Sequence, residues 1–463
     1  MSKQPFRYTE ADREQFLQSE NITFNDGSIV TPEEIWEFLA NEAPQKYPYA
    51  FEANAFYGGR ISEDVTLPAA LKHSYLSLTL SERMEKAKDK DVAIAFIQGG
   101  QAVDPYTAAG AIALRPALVN TWSRGRSYGR NVNAEELGRK VEKEKAFRGI
   151  SFEACNTAGY EQIQEDNLRV DIVAPYSCLR CSDISYSLEA HRHGQRRDDV
   201  KLFLADYPMY NQADKQWAIK YFSKNLRKLV DEIDSIGSRK TTEEDLKAAI
   251  KLHNEGRRLA MELAELWWSP ETPPTNGADR SALFTMGALE IHGDTKATLG
   301  VLREARDSIA KRVENGVKGY GIADNPKRLF VCGSCVSPNN YRTEEAGGIV
   351  VGTDNGWSHI VTLVEEEGDP YYNLAKATLE YPYEQSIEKR AAWTIEQIKK
   401  SRAEGIIFLY NWGCNTQSAI ARAVCDVIKR ETGLPTLVTE NELRGLQPEQ
   451  QQNRINAFIE MIA

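Results

Sequence analysis

Short apolar runs, each closed by a turn and separated from the next by a helix-length stretch, constrain this chain more than any other feature. The first spans 91–97 and ends in Gln98, Gly99 and Gly100. Runs over 169–174, ended by Pro175, and over 200–205 follow it. Runs of this kind read as strands buried on both faces of a parallel sheet. A second set occupies 328–331, 348–351, 405–410 and 435–438, with helical stretches at 383–402, 418–432 and 448–462. Strands alternating with helices predict α/β domains. Between the two sets, residues 212–320 read as almost wholly helical. The clearest helix there opens at Thr241 and Thr242, continues through Glu243, Glu244 and Asp245 to Trp267 and Trp268, and is ended by Pro270, Pro273 and Pro274. Its start has capping-box character. Before the first set, Thr31 suits an N-cap, Pro32 a first helical position, and Glu33 and Glu34 the positive end of a helix dipole. The expected division is an N-terminal helical cap over 1–90, a first α/β domain over 91–225, a helical connector over 226–325 and a second α/β domain over 326–463.

Composition narrows the function classes. The 463 residues are enough for two or three packed domains, and 41 % hydrophobic residues exclude a disordered chain. With a formal charge of −10 and no basic tract, a nucleic-acid partner is disfavoured. No apolar run has bilayer-spanning length, and the polar stretch over 6–14 lacks the apolar core of a signal peptide. The expected location is the cytoplasm, where structural disulfides are disfavoured.

The chemistry-bearing residues are cysteines: Cys155, Cys178, Cys181, Cys332, Cys335, Cys414 and Cys425. Cys178 and Cys181 form one C-x-x-C pair, Cys332 and Cys335 another. Cys178, the Cys332 pair and Cys414 each fall at or just past the end of an expected strand. In open parallel sheets ligands bind outside the carboxyl ends of the strands, so these thiols share one address. Cys155 follows the stretch over 148–152 and is expected on the same rim. Three readings stand beside one another. The thiols are buried small apolar residues, which suits mid-helix Cys425. The two C-x-x-C pairs hold a tetrahedral zinc, which leaves Cys155 and Cys414 unused. Or six thiolates, without Cys425, hold iron–sulfur clusters, which accept ligands scattered through a sequence. The backbone amides of Gly333, Ser334 and Gly413 are then expected to donate to cluster sulfurs.

The segments over 410–414, 433–440 and 453–461, the stretch over 242–258 and the Cys178 loop over 171–178 together resemble the 2-hydroxyacyl-CoA dehydratase and benzoyl-CoA reductase superfamily. The resemblance covers about residues 90–463. It implies an α/β fold of two parallel-sheet, flavodoxin-like domains joined by a helical segment, with a cluster between them. It implies that Cys155, Cys178 and Cys414 hold a cubane. The added Cys181, Cys332 and Cys335 resemble the double-cubane cluster proteins of the same superfamily. The activity so implied is an oxygen-sensitive, low-potential reduction of small molecules by a homodimer, with electrons supplied by an ATP-dependent iron–sulfur activase. The alternative is one subunit of a heterodimeric 2-hydroxyacyl-CoA dehydratase or benzoyl-CoA reductase with a single 4Fe-4S cluster. A zinc-stabilised binding protein is the non-enzymatic reading.

Other residues carry weaker signals. Gln98, Gly99, Gly100 and Gln101 read as a tight turn rather than a phosphate loop. His191, His193 and the group Arg124, Arg126 and Arg130 read as solvated, and His359 as a surface histidine near a strand end. Trp267 and Trp268 are expected to pack between domains.

Overall fold

Thr31 starts a helix as its neighbours dictate: its hydroxyl accepts the Glu34 amide at 3.3 Å, and the Glu34 carboxylate takes the Thr31 amide at 2.7 Å. The computed structural model describes residues 7–51, 61–88, 92–97, 101–114, 134–151, 154–155, 170–174, 188–189, 192, 199–204, 206, 208, 214–237, 239–333, 338, 340–354, 358–441 and 449–462. The N-terminal part comprises helix α1 (Glu10–Leu17), a two-strand antiparallel ribbon of β1 (Ile22–Thr23) and β2 (Ile29–Val30), and helices α2 (Pro32–Glu37), α3 (Pro68–Leu78) and α4 (Leu80–Lys88).

The first parallel sheet contains β3 (Ile94–Ile97), β4 (Ile112–Leu114), β5 (Ile172–Ala174) and β6 (Lys201–Leu202), in the order β4-β3-β5-β6. Helix α5 (Asp104–Ala108) follows β3, and α6 (Ala134–Arg148) leads towards Cys155. Both faces are covered. Ile94, Phe96 and Val173 pack with Leu80 and Met84 of α4. Ala95, Ile97 and Ile172 pack with Tyr106 of α5 and with Leu229 and Ile233 of α7 (Gln216–Asp234). Burial on both sides is why β3 and β5 are apolar throughout. The strand β4 has no counterpart in the sequence reading.

The connector continues with α8 (Glu243–Trp268), α9 (Gly277–Thr285) and α10 (Thr295–Glu314). Thr242 caps α8, with Asp245 closing the capping box. Residues of α8, α9 and α10 share one apolar cluster with Phe16, Trp36 and Leu71 of the N-terminal part. The buried Arg312–Asp64 pair, at 2.6 and 3.1 Å, pins the two together.

The second parallel sheet contains β7 (Lys327–Gly333), β8 (Gly348–Thr353), β9 (Gly405–Asn411) and β10 (Thr436–Asn441), in the order β10-β9-β7-β8. Helices α11 (Pro370–Leu379), α12 (Ile387–Ser401), α13 (Asn415–Thr432) and α14 (Glu449–Ile462) complete this part. Phe330, Ile406 and Phe408 face α12 and α13, while Leu329, Val331 and Ile407 face α14. Both sheets have the same sequence order, 2-1-3-4, with every strand parallel. This is the flavodoxin-like order, and its topological switch point lies between strands 1 and 3. Here those gaps are β3/β5 and β7/β9. The architecture is thus α/β with two parallel sheets, as expected.

Trp267 and Trp268 sit where the connector meets its neighbours. Trp267 is buried in the cluster shared with the N-terminal part, and Trp268 Nε1 donates to the Val351 carbonyl of β8 at 3.0 Å. No helix among the described residues is long and apolar enough to cross a membrane.

Candidate functional site at the strand ends

Cys414 follows β9 by way of Trp412 and Gly413, whose φ of 75° turns the chain into α13. Its amide donates to the Asn411 carbonyl at 2.9 Å, and its carbonyl accepts the Ser418 hydroxyl at 2.8 Å. Burial pushes the Cys414 thiol up. The Gln417 amide, the Arg390 charge and the Thr416 amide pull the other way, since each favours the thiolate. The sulfur thus lies at a helix N-terminus, where backbone amides face an anion.

Cys332 lies near the end of β7 and is fully buried. Its side chain belongs to the apolar cluster between the sheet and α12–α13, together with Cys425. Burial first, then the charge of Asp354, drives its thiol well above the ordinary value. Gly333 is sterically required: at its φ of 131°, a Cβ would lie 1.9 Å from the Leu409 carbonyl oxygen. Its amide donates to Asp354 Oδ1 at 3.0 Å. That corrects the expectation that this amide is free for a cluster sulfur.

Arg390 of α12 ties these elements together. Its Nε reaches Asp354 Oδ2 at 3.1 Å, its Nη2 Asp354 Oδ1 at 3.0 Å and the Gly333 carbonyl at 3.1 Å, and its Nη1 Gln417 Oε1 at 2.8 Å. Thr394 donates its hydroxyl to Asp354 at 2.8 Å. The guanidinium lies over the Tyr383 ring, 4.6 Å from its centroid. Burial works to discharge Arg390, but the charge and hydrogen bonds of Asp354 outweigh it and hold the guanidinium protonated. Gln417 is buried, and its Nε2 has no acceptor among the described residues. A donor in that state costs about 1–3 kcal/mol.

Cys155 is buried beside Ala154 and Ile150, just past α6. Lys145 on α6 places its ammonium 5.0 Å from the centroid of the Trp412 ring. Lys145 and Arg148 are each only 1 % exposed, with Glu142 and Glu144 as helical partners at 3.0 and 3.3 Å. The helix entering Cys155 therefore packs against the loop entering Cys414, and segments from the two α/β parts meet there.

Cys178, Cys181 and Cys335 lie outside the described residues, as do Gln98, Gly99, Gly100, Arg124, Arg126, Arg130, His191, His193 and the side chain of His359. Among the described residues, no group of three or more His, Cys, Asp or Glu is placed to hold a metal ion. Gln101 is a structural residue: its Nε2 donates to the Ala174 carbonyl at 2.8 Å and its Oε1 accepts the Tyr106 hydroxyl at 2.7 Å, across the β3/β5 switch point. Sequence reading missed Asp354, Arg390 and Gln417, because no spacing links three residues that only tertiary packing unites.

Two parallel sheets in the flavodoxin-like order, with Cys332 and Cys414 at the carboxyl edge of the second, define an α/β protein that places a thiol beside the β7/β9 switch point. Residues 167–462 match the family described as 2-hydroxyglutaryl-CoA dehydratase, D-component, and the chain belongs to that family and so to the 2-hydroxyacyl-CoA dehydratase and benzoyl-CoA reductase superfamily. It is 26 % identical over 202 residues to a benzoyl-CoA reductase subunit of Thauera aromatica, covering 41 % of this chain and 49 % of that one. It is 24 % identical over 283 residues to the alpha subunit of (R)-2-hydroxyglutaryl-CoA dehydratase of Acidaminococcus fermentans, covering 57 % of this chain and 55 % of that one. The chain thus spans about half the length of the curated relatives it matches.

Proposed function

We propose that this chain is a component of a redox enzyme of the dehydratase–reductase type that carries a cysteine-held iron–sulfur cluster between its two sheets. The observation that carries the reading is the packing of Lys145 on Trp412, which joins the approach to Cys155 with the loop of Cys414. The donor set suits a sulfide-based anionic group. Burial holds the Cys414 thiol above its ordinary value, with the Gln417 amide, the Arg390 charge and the Thr416 amide opposing it, and the buried Gln417 side-chain amide on the same helical turn lacks an acceptor among the described residues. Cys155, Cys178 and Cys414 would hold one cubane. Cys181, Cys332 and Cys335 would supply a second, which makes the double-cubane form the finer proposal. When bound, such a group stores and passes single electrons at low potential.

The residues' own contributions follow from their placement. Trp412 and the stems of Lys145 and Arg148 exclude water from the junction. Lys145 and Arg148 supply buried positive charge where an anionic group would sit. Arg390 and Asp354 fix the Gly333 turn against α13. Of the described thiols Cys155, Cys332 and Cys414, Cys332 is the one that the geometry supports least, since its sulfur packs with Cys425 in an apolar cluster. The family membership further supports an ATP-dependent iron–sulfur activase as electron donor and a CoA thioester or related small molecule as substrate. A homodimer is the proposed assembly.

The test is the iron content of two variants purified without oxygen. Cys414→Ala should lose most of its iron. Cys425→Ala should keep it, because that thiol is buried under α13. The reverse pattern overturns the assignment.

A further inference from the structure

We infer that Gln417 is a hydrogen-bond donor to the sulfur of the group held at Cys414 and so helps to set its reduction potential, an inference that rests on the iron–sulfur reading. The orientation of the Gln417 amide is not arbitrary. Arg390 has only donors, so the end of the amide 2.8 Å from its Nη1 is the oxygen. The nitrogen, Nε2, is therefore the end without a partner among the described residues. Gln417 is 1 % exposed, so no bulk water reaches it.

Gln417 lies on the first turn of α13, three residues after Cys414. Arg390 fixes the side chain by donating its Nη1 to the Gln417 oxygen. The same guanidinium is pinned by Asp354 and by the Gly333 carbonyl. The amide is thus held on a rigid frame at the carboxyl edge of β7 and β9, with a donor to spare. A cubane's sulfide or a ligating thiolate is an acceptor of the right charge. A donor to that sulfur stabilises the reduced, more negative state and raises the potential.

Two variants separate donation from scaffolding. Gln417→Met is neutral and of similar length but cannot donate. Gln417→Glu keeps an acceptor for Arg390 and removes the amide N–H. The protein is purified anaerobically as the full chain. Its iron content, its midpoint potential by redox titration, and the exchangeable-proton couplings of the reduced cluster by pulsed electron–nuclear double resonance are measured. The inference expects iron content close to wild type in both, a more negative midpoint in both, and loss of one exchangeable-proton coupling in both. Iron-loaded variants with the wild-type midpoint and all couplings intact overturn the inference and leave the cluster reading standing. Loss of the coupling in Gln417→Met but not in Gln417→Glu also overturns it, because the role is then to anchor Arg390. A wild-type protein without iron overturns the cluster reading, and the inference with it.

Discussion

Arg257 donates both of its Nη2 contacts to Asp104, at 2.9 and 3.2 Å, inside the protein where neither side chain meets solvent. Asp104 belongs to α5 beside the first sheet, and Arg257 to the middle of α8. The Nη1 of Arg257 reaches Asn254 at 3.0 Å, and Asn254 in turn holds both the Val364 amide, at 3.0 Å, and its carbonyl, at 2.7 Å. One buried chain of hydrogen bonds therefore runs from the first sheet through the connector to the segment that precedes α11. Removing one partner leaves an uncompensated buried charge. Arg257→Met should cost about 3–5 kcal/mol, while adding Asp104→Leu should return part of that loss. Urea denaturation midpoints measure both, and a single variant within about 0.5 kcal/mol of wild type contradicts the account.

The turn at Gly333 gives a steric prediction. Gly333→Ala brings a Cβ to within 1.9 Å of the Leu409 carbonyl, so the β7–β9 pairing must open at the site. The expected loss is about 3–5 kcal/mol. Gly316 supplies the control, since it has a φ of 63° with nothing within 4 Å of its Cβ position. Gly316→Ala should cost only the left-handed strain, about 1–2 kcal/mol. Thermal unfolding of the two variants compares them directly.

A pH dependence follows from Asp279, next to Asp64. Burial and the Asp64 charge push the Asp279 carboxyl up to about 7 from 3.8, against opposing hydrogen bonds from Ser62 and Asn276 and the Arg312 charge. Between those values the folded chain holds a proton that the unfolded chain releases. Stability therefore falls as pH rises from about 4 to about 7. The buried His73, pushed down to about 4 from 6.5, acts in the opposite direction, costing stability as pH falls through that range. Asp279→Asn removes only the first effect. The variant's melting temperature relative to wild type should rise steadily between about pH 5 and about pH 7 and then level off. A constant difference across that range contradicts the assignment.

In the proposed cluster, the cysteines beyond Cys155, Cys178 and Cys414 decide between one cubane and two. If Cys181, Cys332 and Cys335 hold a second one, replacing any of them by Ser should remove about half the iron. If they do not, the three variants should retain about four irons per chain, and Cys332→Ser should show only a core-packing loss of stability. Iron analysis of the three variants beside wild type separates these outcomes.

The strands β3, β5, β7, β8 and β9 are legible because burial on both faces leaves a nearly uninterrupted apolar signal. Thr31 and Thr242 announced their helices through side chains that cap locally. The strand β4 was not legible. Ile112–Leu114 is only three residues long, follows Ala111 and Gly110, and owes its conformation to pairing with β3. The helix expected from 383 begins at Ile387, because the Pro382–Glu384 turn intervenes and Ser386 supplies the cap. At the site, the strand-end position of Cys332 is readable from the apolar run that it closes. The alternation of Phe330 and Cys332 against Leu329 and Val331 already placed its sulfur on the α12–α13 face. The Asp354–Arg390–Gln417 network lay beyond sequence reasoning, since residues from the β8 end, α12 and α13 meet only after the sheet has formed.

The proposed iron–sulfur group is held by Cys155, Cys178 and Cys414, with Cys181, Cys332 and Cys335 added in the double-cubane form. Its most direct test is metal and acid-labile sulfide analysis of the wild-type chain, expressed on its own and purified without oxygen. The account predicts brown protein with iron and sulfide in near-equal amounts, at about eight irons per chain for the double cubane. Stoichiometric zinc without sulfide, or no metal at all, contradicts it.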